Sequence, residues 1–504
     1  MSRAKSIMIQ GTASSVGKSM LVTALCRIFT LDGFRVAPFK SQNMALNSFV
    51  TVDGGEIGRA QAVQAEACGI EPSVLMNPVL LKPSSDVGSQ VIIKGKVFKN
   101  MTAEEYQRFK PELREIIKDA YEELAANHDI VVIEGAGSPA EINLKDNDIV
   151  NMGMAEIADC PVLIVGDIDK GGVFASIVGT MILLDQRERK RVSGIIINKF
   201  RGDVEILRPG LSMLEKIIKR PVLGVIPYMR IHIDEEDSAT EHLRLTKEDG
   251  DLDVAIVYLP HISNFTDFEP LYSVNELKIR YVYSADTFGS PDLVIIPGTK
   301  NTIGDLLYLK YNKISEEIIR YAREGRLVIG ICGGFQMLGK EILDPYGIES
   351  DIKETEGLGL LDISTTIEGE KITAQTIIQL EPAISSIFPG LSGSTLKGYE
   401  IHMGRTEDLG NSIPFSRIIK RGESLCNEID GYMSCDGNVF GTYLHGIFDN
   451  ESFLKGLVSL IYRRKGIEKD VDINPVTEEF KYNELARIVR ESVDIQEIYR
   501  IMGL

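Results

Sequence analysis

The sequence predicts an α/β protein made of two successive α/β domains. In residues 1–230, short continuous apolar runs alternate with charged, helix-like stretches, the pattern of a parallel sheet with helices on both faces. A second series of the same kind begins after a polar, acidic stretch. At 504 residues the chain is also too long for one hydrophobic core, so two or three domains are expected.

The runs Ile7–Ile9, Val36–Phe39, Ile130–Ile133, Val162–Val165, Gly194–Ile197 and Val222–Ile226 lack alternation, so they are expected as strands buried on both faces. Glu104–Ala126 carries its charges on one face and is expected as a helix. Residues 231–251, with the run Asp234-Glu235-Glu236-Asp237, make a linker. In the second series Asp253–Leu259, Leu293–Ile296 and Leu327–Ile331 are expected as strands and Lys313–Arg323 as a helix. From about Glu356 to Tyr443 the pattern is one of short strands and turns. The domain spans 252–450, and 451–504 is expected as a C-terminal helical extension packed on the domain, from the spacing of Leu485, Ile488, Val489, Ile495, Ile498 and Met502.

A hydrophobic content of 44% and a charged content of 25% are ordinary for a globular protein. The net charge of −18 argues against nucleic acid or an anionic membrane as partner. Met1–Lys5 leads straight into a strand, with no leader pattern, and no apolar run approaches the ~18 residues of a membrane span. Six scattered cysteines without a C-x-x-C pair make neither a disulfide framework nor a zinc site, so a cytoplasmic setting is expected. Nothing in the sequence specifies an oligomeric state.

Gly11-Thr12-Ala13-Ser14-Ser15-Val16-Gly17-Lys18-Ser19 lies between the first strand and a helical pattern. Strand, glycine-bounded loop, Lys-Ser and helix cradle the phosphates of a nucleotide such as ATP. Backbone N–H groups face the anion, Lys18 reaches the terminal phosphates, and the Ser19 hydroxyl holds Mg²⁺. The loop is one residue longer than the usual G-x-x-x-x-G-K-[ST]. Glu134 ends a strand ahead of Gly135-Ala136-Gly137, where an acid can bind Mg²⁺ directly or through water. Lys40 and Asn198 end two other strands on the same edge. The lysine suits phosphate or a carboxylate, and the Asn amide suits a base.

In the second series, Gly330-Ile331-Cys332-Gly333-Gly334 sits at a strand-to-helix turn. Cysteine there is a nucleophile on a sharp elbow. The glycines permit the turn, the helix N-terminus favours the thiolate, and adjacent backbone N–H groups, Gly333 among them, form an oxyanion hole. The thiol needs a base. His128, His232, His242 and His261 precede the elbow in no motif, while His402 and His445 follow it and are not separated by the residues alone.

Gly11–Ser19 and Glu134–Gly137 resemble the elongated phosphate loop and the E-G-A-G of dethiobiotin synthetase, and the Glu56…Gln61 spacing matches that pattern, making Glu56 a second candidate metal ligand. The wider set resembles the cobyric acid synthase family, glutamine-dependent amidases of the cobalamin pathway. It comprises Lys40–Ser48, Glu56–Gln61, Asn77–Pro83, Asp169–Ala175 and Asn198–Asp203. Residues 253–450 resemble a class I glutamine amidotransferase, whose base matches His445 and whose oxyanion turn matches Pro297-Gly298-Thr299. The usual glutamate two residues after that histidine is replaced by Ile447, so His445 is oriented by another group or acts in a dyad.

The resemblance implies a P-loop NTPase-type parallel sheet plus a class I glutamine amidotransferase-like α/β domain. It implies ATP and Mg²⁺ as cofactors, glutamine and a corrinoid as substrates, and amidation of the b, d, e and g carboxylates of adenosylcobyrinic acid a,c-diamide. The related cobyrinic acid a,c-diamide synthase is the alternative with the same domains. A regulatory P-loop ATPase with an inactive amidotransferase domain is a second.

Overall fold

The computed structural model describes residues 4–85, 88–229, 246–469, 471 and 478–504. The segment expected as a linker, with His232 and His242, lies mostly outside them. The chain forms two compact units, one of residues 1–51, 55–238 and 476–504, the other of 52–54 and 239–475.

The first unit is built on six parallel strands in the spatial order Val222–Pro227, Val192–Phe200, Val162–Asp167, Lys5–Gly11, Ile130–Glu134 and Val36–Phe39. The six expected runs are these strands. Ile7, Ile9, Val132, Ile164 and Ile196 are fully buried, which is why the runs do not alternate. The strand carrying the phosphate loop therefore lies between those ending in Glu134 and Asp167, with all carboxyl ends on one edge. The helix Ala103–Ala126 matches expectation and opens with a capping box between Thr102 and Glu105. A four-stranded sheet, Gln42–Met44, Val79–Ser85, Gly88–Ile93 and Lys96–Thr102, was not expected. Its outer strand, Lys96–Thr102, is almost wholly exposed and carries no inward apolar face to announce it.

The C-terminal extension divides instead of packing as one piece. Helix Glu451–Arg464 buries Phe453, Leu457, Val458 and Ile461 in the core of the second unit. Helices Glu478–Ser492 and Ile495–Met502 belong to the first. Their Tyr482, Leu485, Val489, Ile498 and Met502 share a core with Leu21, Leu25 and Phe29 of the helix that follows the phosphate loop. That helix has a second apolar face which the sheet does not cover, and the tail supplies the cover. Arg27 to Glu479 and Arg490 to Asp32 flank the contact. Leu485→Ala, at a fully buried site, is expected to cost about 2–5 kcal/mol in urea unfolding of the first unit. A loss well under ~1 kcal/mol would mean the helix is not seated there.

The second unit has one large mixed sheet. Leu277–Val282, Leu252–Val257, Leu293–Ile296, Leu327–Ile331 and Val439–Thr442 run parallel. Antiparallel strands Ser424–Met433, Ile413–Arg421 and Ile363–Leu380 continue it. Two of the strands expected to be short are long, Ile363–Leu380 at 18 residues and its partner Thr395–Asp408 at 14. A register shift between Ile367 and Ile372, where Gly369 and Glu370 are exposed, breaks the alternation that marks a long strand. Among the described residues no helix is long and apolar enough to cross a membrane.

Candidate active sites

The phosphate loop leaves the central strand at Gly11 and enters helix Lys18–Leu31 through Gly17, whose φ of +91° glycine adopts without strain. A Cβ at Gly17 would lie 2.2 Å from Asn198 Nδ2, and one at Gly11 would lie 2.6 Å from buried Val16. Thr12 N–H donates to the Val165 carbonyl at 2.9 Å, tying the loop to the neighbouring strand. Asn198, expected at a base, is turned inward with 3% exposure, and its amide donates to the Val16 carbonyl at 2.8 Å. Lys199, which the motif reading used only as a marker, donates to the Ser15 carbonyl at 2.7 Å. The end of that strand thus holds the loop in shape.

Lys18 donates to the Ala13 carbonyl at 3.1 Å and the Gly137 carbonyl at 3.4 Å, linking the loop to the turn after Glu134. Beneath it, Glu134 is 1% exposed. Its Oε1 accepts from Ser19 Oγ and from Lys40 Nζ, both at 2.9 Å, and its Oε2 accepts from Gln64 at 2.5 Å. Burial pushes the carboxyl pKa up, but the Lys40 charge and the three hydrogen bonds outweigh it and hold the pKa below the ordinary value. A cleft of about 240 Å³ opens above, lined by Ser14, Ser15, Gly17, Lys18, Ser19 and Lys40 together with Glu134.

The Ser19 hydroxyl and the Glu134 carboxylate, hydrogen-bonded on the floor of this cleft, are hard oxygen donors of the kind Mg²⁺ takes alongside phosphate and water. Glu56 does not join them. It is 1% exposed and its carboxylate pairs with Lys82 at 2.5 Å, while Lys82 also donates to Ser48 at 2.8 Å. The spacing to Gln61 placed Glu56 at the site, but its short strand turns the carboxylate toward Lys82. Gln64, one helical turn after Gln61, is the residue that reaches Glu134.

In the second unit, strand Leu327–Ile331 lies between Leu293–Ile296 and Val439–Thr442, and the segments leaving all three carry the expected thiol centre. Cys332 has φ +50° and ψ −108°, a conformation costly for a residue with a side chain and held by its surroundings. A Cβ on Gly334 would lie 2.0 Å from the Ile296 carbonyl, and one on Gly330 would lie 2.7 Å from Gly334. The glycines are therefore needed for strand and helix to touch. A Cβ on Gly333 would lie 3.1 Å from the Thr299 nitrogen, so the two segments expected to supply oxyanion N–H groups, at Gly298 and Gly333, are side by side.

His445 is 1% exposed and lies against Gly298, near enough to Cys332 for the thiol to raise the imidazole pKa, while the thiol itself donates to the Ile401 carbonyl at 3.5 Å. His402 belongs to another network: it stacks on Tyr443 with centroids 3.8 Å apart, and its ring nitrogens face the Gly404 carbonyl and Glu400. Of the two histidines, His445 is the one on whose ring Cys332 acts electrostatically.

Ile447, in the position of the usual glutamate, is 1% exposed in the apolar core. His445 Nδ1 instead lies 2.7 Å from Asp267 Oδ2. Sequence reasoning missed Asp267, an acid in the short 3-10 helix Phe265–Phe268, 178 positions before the histidine and with no motif of its own. Burial pulls the imidazole pKa down, but the charges of Asp267 and Cys332 win, and it rises above the ordinary 6.5.

Comparisons with known proteins follow the same division. Residues 7–239 match the CobQ/CobB/MinD/ParA nucleotide binding domain, and residues 253–453 match the CobB/CobQ-like glutamine amidotransferase domain. The chain is 58% identical to cobyric acid synthase of Caldanaerobacter subterraneus subsp. tengcongensis, covering 98% of both proteins. It is 57% identical to that of Thermoanaerobacter sp. over 98% of both, and 54% identical to that of Clostridium novyi over 99% of this chain and 98% of the relative. With both domains matched in order and identity sustained along nearly the whole length, the chain belongs to the cobyric acid synthase family.

Proposed function

We propose that this protein uses ATP, Mg²⁺ and glutamine to amidate the b, d, e and g side-chain carboxylates of adenosylcobyrinic acid a,c-diamide, giving adenosylcobyric acid. The observation that carries the reading is the presence in one chain of a phosphate cradle, Lys18 and Ser19 over Glu134, and a strained Cys332 beside a buried His445.

Amide formation from a carboxylate needs a leaving group better than oxide and a neutral nitrogen nucleophile. In the first unit a carboxylate oxygen of the corrin attacks the γ-phosphorus of ATP. The bond to the bridging oxygen breaks, ADP leaves, and an acyl phosphate remains. Lys18, the loop N–H groups and Lys40 stabilise the charge that spreads over the transferring phosphoryl oxygens. When bound, Mg²⁺ at Ser19 and Glu134 neutralises phosphate charge.

In the second unit Cys332 passes its proton to His445 and the thiolate attacks the carboxamide carbon of glutamine. The oxyanion is met by N–H groups near Gly298 and Gly333. His445 returns the proton to the departing NH₃, and water hydrolyses the glutamyl thioester with the same imidazole as base. Ammonia then displaces phosphate from the acyl phosphate. Its delivery must be shielded from water, since free ammonia near neutrality is mostly protonated. Residues 1–230 carry the first chemistry and 252–450 the second.

The test is mass spectrometry of the product formed from ATP, Mg²⁺, glutamine and the corrin a,c-diamide. The expected result is stepwise gain of up to four amides, with one ATP and one glutamine consumed per amide. Amidation of the a and c positions of the unamidated corrin would assign the alternative substrate, and ATP turnover without amidation would overturn both.

A further inference from the structure

We propose that Asp267 is the positioning residue of the thiol centre, completing a Cys332–His445–Asp267 triad whose acid reaches the imidazole from the opposite side in chain order. The proposal rests on the glutaminase reading above.

Both carboxylate oxygens are committed to one turn. Oδ2 lies 2.7 Å from His445 Nδ1, and Oδ1 accepts the Gly446 N–H at 3.0 Å. The two side chains are each 2% exposed. An acid clamped at two consecutive positions is fixed in rotation, so it dictates the plane of the imidazole as well as its tautomer. With Nδ1–H donated to Asp267, Nε2 is the nitrogen left to exchange a proton with the thiol.

The surrounding segment has the same purpose. Asn264, at φ +52°, donates its amide to the Tyr399 hydroxyl at 3.0 Å. Tyr399 stacks on the His445 ring with centroids 5.2 Å apart and planes within 12°. Ser263 N–H donates to the Gly298 carbonyl at 2.9 Å, fixing the turn beside the thiol. Residues 263–267 therefore hold the ring by its edge, by its face through Tyr399, and by the turn against which it rests. The titratable groups against the ring are Asp267, Cys332 and Tyr399, with Asp449 packed close to Gly446.

In the reaction Asp267 holds the imidazole through Nδ1. The proton leaves Cys332 Sγ, rests on His445 Nε2 while the carboxylate stabilises the imidazolium, and departs with NH₃. Removing the negative charge makes the imidazolium harder to form, so the reactive thiolate–imidazolium pair forms only at higher pH.

The test compares Asp267→Asn and Asp267→Glu in the full chain by three readouts. Glutamine hydrolysis by Asp267→Asn is expected to lose about 10²- to 10⁴-fold in kcat with KM within a few-fold. The acid limb of Cys332 alkylation by iodoacetamide, followed on the Cys332 peptide by mass spectrometry, is expected to move up by about one pH unit or more. Ammonia-dependent amidation is expected to match the parent, and Asp267→Glu to recover part of the loss. A kcat within about threefold of the parent would overturn the proposal, as would a loss of hydrolysis with the alkylation limb unmoved. If the parent itself fails to hydrolyse glutamine, the functional reading falls, while the alkylation profile still decides whether Asp267 governs the Cys–His pair.

Discussion

Cys332→Ala is expected to abolish glutamine-dependent amidation, by at least about 10³-fold, and to leave ammonia-dependent amidation within about twofold of the parent. The loss is large because no other group can supply the thioester. Ser263, whose hydroxyl lies beside the Gly298 turn, has its backbone engaged there and no base of its own in the described contacts. The retained activity follows from the division of labour. Alanine removes only the sulfur from the elbow, and the flanking Gly330, Gly333 and Gly334 keep the backbone path. Initial rates with glutamine and with ammonium salt, the latter above neutral pH where free ammonia is plentiful, check both halves. Glutamine-dependent turnover surviving in this variant would remove the thiol from the mechanism.

Lys18→Met is expected to give the complementary pattern, a fall of about 10²- to 10³-fold in amidation from either nitrogen source, with basal glutamine hydrolysis retained. Lys18 is 5% exposed and bridges the loop carbonyl of Ala13 to that of Gly137. In the proposed mechanism its ammonium stabilises the developing phosphoryl charge, and methionine keeps the stem without the charge. Lys18→Arg should not restore the rate, because a planar guanidinium cannot occupy the place of a compact ammonium between two carbonyls. ATP consumption and product formation, measured beside glutaminase in the same preparation, separate this outcome from unfolding.

How much of this was legible in the sequence follows from how local each signal is. The loop at Gly11–Ser19 and the elbow at Gly330–Gly334 are each held within a few residues, and glycines mark where backbones must approach closely, so both stood out. The six strands of the first unit were legible because burial on both faces leaves continuous apolar runs. Partnerships across the fold were not. Asp267 meets His445 because strands Leu252–Val257 and Val439–Thr442 end on one edge of the sheet, and no spacing rule links an acid in a short 3-10 helix to a histidine 178 positions on. Gln64, which no motif marked, reaches Glu134 because packing decides which face of helix Arg59–Ala67 points there, and Glu56 on the preceding strand pairs with Lys82. The C-terminal helices were visible as helices, but the surface they cover belongs to residues 18–31, at the other end of the chain. The resemblance to the amidotransferases pointed to His445 and the oxyanion turn, and it also drew attention to position 447, which holds an isoleucine buried in the apolar core.

The central claim is that the phosphate cradle activates a carboxylate for ammonia released at the thiol. It is tested most directly by labelling the corrin carboxylates with ¹⁸O and following the label through one turnover with ATP, Mg²⁺ and glutamine. Attack of carboxylate oxygen on the γ-phosphorus predicts one labelled oxygen in inorganic phosphate for every amide formed, and none in ADP. Unlabelled phosphate accompanying amide formation, or label recovered in AMP, would contradict the account.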